Sequence, residues 1–378
     1  MLIAFYAPLK PPDHPVPSGD RNIARGLMQA LRHARHDVLL ASRFRSFDAR
    51  GDTGRQARLR IVGRRLGDRL AARLKTGVAP DAWFTYHVYH KAPDHLGPRV
   101  SAALAIPYVV AEASIAPRER DGAWAAGYAD AYAAVQAADA ILCLNPKDAI
   151  EVRRARGPGA RLELLAPFID VARFAGAPGV ARARPAQAPV RLVTVAMMRD
   201  GAKLASYRVL AQALRLLDGS PWTLDVVGDG PARADVVAAF APLAHRVRFL
   251  GEQPASALPA LLGACDLFVW PAIDEAIGIA FLEAQACGLP VVGGDSPGVA
   301  AVVAHGRSGL LVPLDDVAAL AAAVQRLVQD EPARRRLGAC AAAYVRERHD
   351  VDSAARQLDA LLRALAGRRG TATIASTC

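Results

Sequence analysis

Two carboxylates eight residues apart, Glu275 and Glu283, flank Gly278 in the stretch PAIDEAIGIAFLEAQACGLPVVGGDSPGVAAVV, residues 271–303. A strand reaches Trp270 and turns at Pro271 into a loop that carries Asp274 and Glu275. Gly278 then opens a helix that ends at Gly288, with Pro290 beyond it as a stop. Without a Cβ, Gly278 lets a ligand approach the backbone. The unpaired N–H groups around Ile279 and Ala280 suit an anion, and a diphosphate fits there. Glu283 lies in the second helical turn. Were Glu275 helical too, the pair would diverge by about 80°, so its loop position lets both carboxylates reach one ligand. Carboxylates accept hydrogen bonds from sugar-type hydroxyls and do not compete for phosphates. Earlier in the chain, His87 follows the apolar run AWFTY and Glu112 ends YVVA, while Gly19 sits in the loop Ser18-Gly19-Asp20.

Short β-rich runs alternate with helical stretches, the pattern of parallel βαβ units. In the first half, strands are predicted at Leu2–Tyr6, Asp37–Ala41, Ala82–Tyr86, Tyr108–Ala111 and Ala140–Leu144. Helices fall at Asn22–Arg35 and Val100–Leu104, and Asn145-Pro146 reads as a cap and first helical residue. The pattern restarts with strands at Arg191–Ala196, Thr223–Val227, Arg246–Leu250, Leu267–Val269, Pro290–Val292 and Gly309–Val312. Helices intervene at Tyr207–Leu217, Ala232–Ala239, Ile279–Cys287 and Val317–Val328. The expected domains are therefore 1–175 and 190–348, with an Ala/Gly/Pro-rich linker at 176–189, a helix at 349–370 that packs back on the first domain, and a frayed tail at 371–378. Ligands of doubly wound sheets lie outside the carboxyl ends of the strands. By that rule His87, Glu112 and Glu275 all qualify.

The wording E-A-I-G-I-A-F-L-E-A-Q-A-C-G-L-P-V from Glu275 onward resembles E-G-F-G-x-x-x-x-E-A-x-A-x-G-x-P-V, the motif of the retaining glycosyltransferases of the E-x7-E family (glycosyltransferase family 4, group 1). VVGDGP at 226–231, RFLG at 248–251, ACDLFVWP at 264–271 and SGLLVP at 308–313 resemble the family's strand ends and turns in order, so the likeness spans roughly residues 160–350. The resemblance implies a GT-B fold, two Rossmann-like domains facing each other across a cleft, and transfer of a sugar from a nucleotide-diphosphate sugar to an acceptor hydroxyl. It assigns Glu275 to the transferred sugar, Glu283 to the ribose, and the backbone of Gly278 and Ile279 to sugar and diphosphate. The family's V-G-R-L-x-x-x-K-G corresponds to V-A-M-M-R-D-G-A-K at 195–203. Met197 takes the aligned Arg position, and Arg199 and Lys203 are the cations left for the diphosphate, with no metal or other cofactor. Gly19 stands where the family's opening glycine loop meets the diphosphate. The acceptor-side T-x-H-G is replaced by Ala111-Glu112-Ala113-Ser114, which leaves Glu112 and His87 as the catalytic candidates of the first domain.

Composition narrows the class. At 52% hydrophobic the 378-residue chain is no disordered protein, and no apolar run reaches the roughly 20 residues of a membrane span. Its start reads as a strand rather than a signal peptide, and five scattered cysteines without C-x-x-C exclude zinc-finger spacing and a secreted disulfide framework. A cytoplasmic protein is expected, peripheral on the inner face of the membrane. Residues 21–75 hold fourteen Arg and one Lys against four Asp, an excess equal to the whole formal net charge of +11. Within them 55–75 forms a basic segment with Leu59, Val62, Leu66, Leu70 and Leu74 at helical spacing, a contact surface for anionic membrane or a stripe packed on its own sheet. The acceptor is then lipid-linked or a polysaccharide. The competing readings are a nucleotide-sugar epimerase or sugar phosphorylase of the same architecture, and a nucleic-acid-binding protein. The last lacks interleaved aromatics and any recognition motif, so no nucleic acid is expected as a partner.

Overall fold

A computed structural model describes the chain apart from residues 17, 175–187, 218, 220 and 376–378. Two compact units emerge, Met1–Leu165 together with Val351–Cys378, and Ala166–Asp350. The division falls at Leu165, before the expected domain end at 175, because a short 3-10 turn at Val171–Phe174 packs with the second unit. Most of the expected linker, 176–189, lies outside the described residues.

The first unit runs β1 (Leu2–Tyr6), α1 (Gly19–His33), β2 (Asp37–Ser42), α2 (Thr53–Thr76), β3 (Ala82–Tyr89), α3 (Gly97–Leu104), β4 (Tyr108–Ser114), α4 (Ala125–Ala137), β5 (Ala140–Cys143), α5 (Asp148–Ala155) and β6 (Arg161–Leu164). Its strands are all parallel in the order β2-β1-β3-β4-β5-β6. β1, β3, β4 and β5 are buried almost throughout, as the near-continuous apolar runs of a sheet covered on both faces require. The edge strands β2 and β6 are half-exposed. β3 and β4 run on past the expected ends at Tyr86 and Ala111, so His87 and Glu112 lie within the strands, at the position that falls between the paired residues Tyr86–Ala111 and Val88–Ala113. α5 begins at Asp148, later than Asn145-Pro146 suggests, because the Asn145 side chain accepts the Lys147 N–H in a turn before the helix.

The second unit runs β7 (Val190–Val195), α6 (Ala202–Arg215), β8 (Trp222–Val227), α7 (Arg233–Ala239), β9 (Val247–Gly251), α8 (Leu258–Gly263), β10 (Leu267–Trp270), α9 (Ile279–Ala286), β11 (Val291–Gly294), α10 (Pro297–Ala300), β12 (Gly309–Val312), α11 (Val317–Gln329) and α12 (Glu331–Arg348). Its parallel order is β12-β11-β10-β7-β8-β9. The last helix, α13 (Val351–Ala375), belongs to the first unit and packs on α1. It continues to Ala375, through the start of the expected tail.

The basic region resolves into parts with different work. Arg21 donates to the carbonyls of His14 and Pro15, Arg25 to that of Pro12, and Arg45 to that of Leu9, while Arg43 pairs with Asp13 at 2.5 Å. Four of the arginines thus tie down the proline-rich loop between β1 and α1. In α2 the buried face is Gln56, Gly63, Gly67, Leu70, Ala71 and Leu74, with Leu66 packed partly buried against the core. The expected stripe therefore packs on its own unit at Leu66, Leu70 and Leu74 and departs from it at Val62. The two glycines let the helix sit closely: a Cβ at Gly63 would lie 2.6 Å from His95 Cβ. Val62 consequently faces outward with Ile61.

Candidate active site

In a doubly wound sheet the loops part at the position where the strand order reverses. In the second unit that position lies between β7 and β10, and the residues after these strands converge. Gly228 and Gly230, after β8, hold the loop after β7 from below. A Cβ on Gly228 would come within 1.9 Å of the Ala196 carbonyl, and Asp229 O accepts the Met198 N–H at 2.9 Å. α6 then begins at Ala202 and carries Lys203 in its first turn. The same helix anchors both loops. Tyr207 donates to the Ala196 carbonyl at 2.7 Å, and Ser206 Oγ accepts the Ile273 N–H at 3.0 Å. As a result the Lys203 ammonium bonds the Glu275 carboxylate, and it stands 5.5 Å from the centre of the Trp270 ring. Trp270 Nε1 lies 3.4 Å from the same carboxylate.

α9 starts beside this pair. Its cap, Gly278, has φ 70° and ψ 34°, a left-handed conformation natural to glycine, and a helix leaves its first N–H groups without intrahelical acceptors. Arg199 is exposed four residues before Lys203. Glu283 is half-buried; burial pushes its carboxyl up to about 7, and the nearby Arg173 charge offsets part of that.

The first unit repeats the geometry at its own reversal point, between β1 and β3. Ser18 Oγ caps α1 by accepting the Arg21 N–H, so Gly19 and Asp20 open the helix directly after the loop from β1. Asp20 Oδ1 lies 3.4 Å from His87 Nδ1, and the His87 ring stacks on Tyr89 at 4.9 Å. On β4, Glu112 is buried with φ 60° and accepts the Leu144 N–H at 2.7 Å. Holding a non-glycine residue in that region costs on the order of 1–3 kcal/mol.

Burial pushes the Glu112 carboxyl up to about 7, although the His87 charge and the N–H groups of Leu144 and Asn145 pull the other way. Burial alone would favour a neutral His87 ring. The hydrogen bond to Asp20 and the charges of Glu112, Asp20 and Asp148 outweigh it and raise the ring above its ordinary value. Asp20 in turn is lowered: burial works against its charge, and the hydrogen bond and charge of His87 prevail.

Residues 189–330 match the family model described as "Glycosyl transferases group 1". Through that stretch, which lies within the second unit, the chain is similar to the group 1 glycosyltransferases. It is 35% identical over 205 residues to the D-inositol 3-phosphate glycosyltransferase of Salinispora tropica, which covers 49% of this chain and 42% of the relative. It is 31% identical over 221 residues to the GDP-mannose-dependent alpha-(1-6)-phosphatidylinositol monomannoside mannosyltransferase of Mycobacterium tuberculosis, 55% of this chain and 57% of the relative. The matched stretch spans about half the length of these relatives. In fold the chain is similar to the sucrose-phosphate synthase of Thermosynechococcus elongatus, with a TM-score of 0.71 and 21% identity over 96% of this chain and 98% of the other. Anabaena HepE in complex with UDP and glucose gives 0.68 and 18% over 96% and 99%. The architecture is GT-B: two Rossmann-like α/β domains.

Set beside the group 1 wording, the candidates fall into two sets, each within one unit. Lys203, Glu275, Gly278 and Ile279 come together around the ends of β7 and β10, with Arg199 at the margin. Glu283 lies further along α9, apart from the Lys203–Glu275 pair and near the Arg173 charge. His87 and Glu112 come together at the ends of β3 and β4, and Gly19 is exposed with open space around its Cα. Asp20, the partner of His87, and Trp270, the platform of Lys203, went unread in the sequence. Each adjoins a residue that was read, and an acidic residue in a helix's first turn was the available signal for Asp20. Near the junction of the units, Asp350 accepts the Val171 N–H and Asp352 pairs with His33. Among the described residues no group of three His, Cys, Asp or Glu side chains could hold a metal ion.

Proposed function

We propose that the chain is a retaining glycosyltransferase that moves a sugar from a nucleotide-diphosphate sugar to an acceptor hydroxyl without a metal ion. The observation that supports this most is the meeting of Lys203 and Glu275 at the reversal point of the second sheet, beside the open start of α9. A cation and helix amides suit a diphosphate, and a carboxylate suits sugar hydroxyls. In the reaction the bond from the sugar's anomeric carbon to the diphosphate breaks, and its electron pair goes to the leaving oxygen. Lys203, Arg199 and the amides of Gly278 and Ile279 meet the charge that develops there. The acceptor oxygen bonds the anomeric carbon from the same face, and its proton passes to the departing phosphate, so configuration is retained and atoms balance. Glu275 holds the sugar and Glu283 the ribose. Glu112 and His87 serve as the polar groups of the acceptor side. The relatives named for phosphatidylinositol and inositol phosphate, and the fold neighbour that binds UDP, support a nucleotide-sugar donor and an acceptor in glycolipid or glycoside synthesis.

Calorimetry with UDP, GDP and ADP in the presence of EDTA tests the donor half. One nucleotide is expected to bind, and Glu283→Ala should weaken it by about 1.5–3 kcal/mol, the range for hydrogen bonds to charged groups. Unaltered affinity in that variant removes the ribose role. An inverted anomeric configuration in the product, read by NMR, removes the retaining mechanism.

We also propose peripheral contact with the anionic inner face of the membrane through α2. Ile61 and Val62 are 51% and 52% exposed, and exposed Arg58, Arg65 and Arg69 surround them on the same face. Among the described residues no helix is long and apolar enough to cross a membrane. Each basic residue near an anionic surface adds roughly 1 kcal/mol. Binding to anionic but not neutral vesicles is expected, weakening as salt rises. Reversing Arg58, Arg64, Arg65 and Arg69 to Glu should abolish it and leave nucleotide affinity intact. Indifference of the wild type to anionic vesicles at low salt makes a soluble acceptor the better reading.

A further inference from the structure

His14, in the loop after β1, and Arg45, in the segment after β2, turn two donors toward each other with no acceptor between them among the described residues. His14 Nδ1 accepts the Val16 N–H at 3.2 Å. A ring nitrogen that accepts carries no proton, so the neutral imidazole must bear its hydrogen on Nε2. That nitrogen lies 3.4 Å from Arg45 Nη1, which has only hydrogens to offer. The pair therefore cannot bond each other. An oxygen about 2.8 Å from both nitrogens would satisfy them at once, with charge-assisted geometry if it is anionic.

Both donors are held in place beforehand. Arg45 Nε is committed to the Leu9 carbonyl at 2.9 Å, and its guanidinium lies 5.6 Å from the Phe47 ring centre. The His14 carbonyl is fixed by Arg21 at 2.9 Å. The position lies near the candidate site of the first unit: the Arg45 charge reaches Tyr89, which stacks on His87. The arginines that tie down this loop make its surroundings strongly positive, which favours a phosphate ester over a singly charged carboxylate.

We propose that Arg45 and His14 bind a phosphate ester carried by the acceptor, so that the first unit takes a phosphorylated hydroxyl compound. This rests on the transferase reading above and narrows its acceptor. Three probes test it on the full chain: inorganic phosphate, glycerol 3-phosphate with glycerol and acetate as controls, and phosphatidylcholine vesicles with and without phosphatidic acid. The variants are Arg45→Met and His14→Ala, with thermal unfolding to confirm that each folds. The expected result is binding of the soluble phosphates, but not of glycerol or acetate, weakened about tenfold or more by either variant. If only the phosphatidic acid vesicles bind, and both variants weaken that binding while α2 is unaltered, the site stands with a lipid-borne phosphate. The inference is overturned if neither variant changes the binding of any probe, or if acetate binds as well as phosphate. Nucleotide affinity is measured alongside. Nucleotide binding by the wild type together with phosphate probes that ignore both variants sinks this inference alone, whereas absence of nucleotide binding in the wild type sinks the transferase reading.

Discussion

Lys203→Ala is expected to lower the rate of sugar transfer by about a hundred- to a thousandfold, the usual cost of removing a fixed group that meets developing charge. In the unliganded protein Lys203 is engaged with Glu275 and stands against Trp270. On donor binding, in the proposed mechanism, it exchanges that carboxylate for the diphosphate and frees Glu275 for sugar hydroxyls. The pair is about a quarter exposed on each side, so its own worth to stability is no more than about 1 kcal/mol. The variant should therefore unfold within a few degrees of wild type while turnover collapses. Initial rates of nucleotide release and a calorimetric melting curve separate the two. Retention of more than about a tenth of the rate would mean that another cation neutralises the leaving group, and exposed Arg199 is the first to test.

Glu112→Gln is expected to stabilise the protein above neutral pH and to flatten its stability profile below it. The Glu112 carboxyl ionises at about 7 in the folded chain, against an ordinary value of 4.5. Between those values the folded state binds more protons than the unfolded one, so wild-type stability falls as pH rises through that window. The full cost above it is about 3 kcal/mol. Gln keeps an oxygen for the Leu144 N–H and cannot ionise. Denaturant midpoints at pH 5 and pH 8 should therefore converge in the variant. His87 contributes with the same sign. Its raised value makes its stability largest at low pH, and that contribution is lost as pH rises through the folded value. Removing the Glu112 charge should also lower the His87 titration, which ring NMR can follow. Equal pH dependence in the two proteins would show that Glu112 is ionised throughout.

The apolar runs IAFY, AWFTY and YVVA announce central strands because a sheet covered on both faces tolerates little else. Two elements of the first unit escaped that signal. β6 reads RLEL, an edge strand with alternating polar residues, and α4 is made mostly of small residues with no marked apolar stripe. The α2 stripe was legible at Leu66, Leu70 and Leu74, but the close approach at Gly63 was not, because an apolar template counts glycine as blank. Glu275, Gly278, Ile279 and Glu283 lie within one contiguous motif and were legible together, whereas Lys203 stands in a second segment 72 positions before Glu275. Asp20 and His87 are separated by 67 positions. Their meeting follows from β1 and β3 being neighbours with β2 outside, an ordering that no local pattern carries.

Because α13 completes the first unit, that unit is encoded in two pieces with the whole second unit between them. Leu358, Leu361, Leu362 and Leu365 are buried on α13, and His36, just before β2, is within 3.2 Å of Asp359. On the ribosome the first 165 residues emerge early but lack this cover until the chain has passed residue 351. The second unit is contiguous and can close its core sooner. The first unit can therefore complete its core only after the second has been made, and until then the α1 face that α13 covers stays bare.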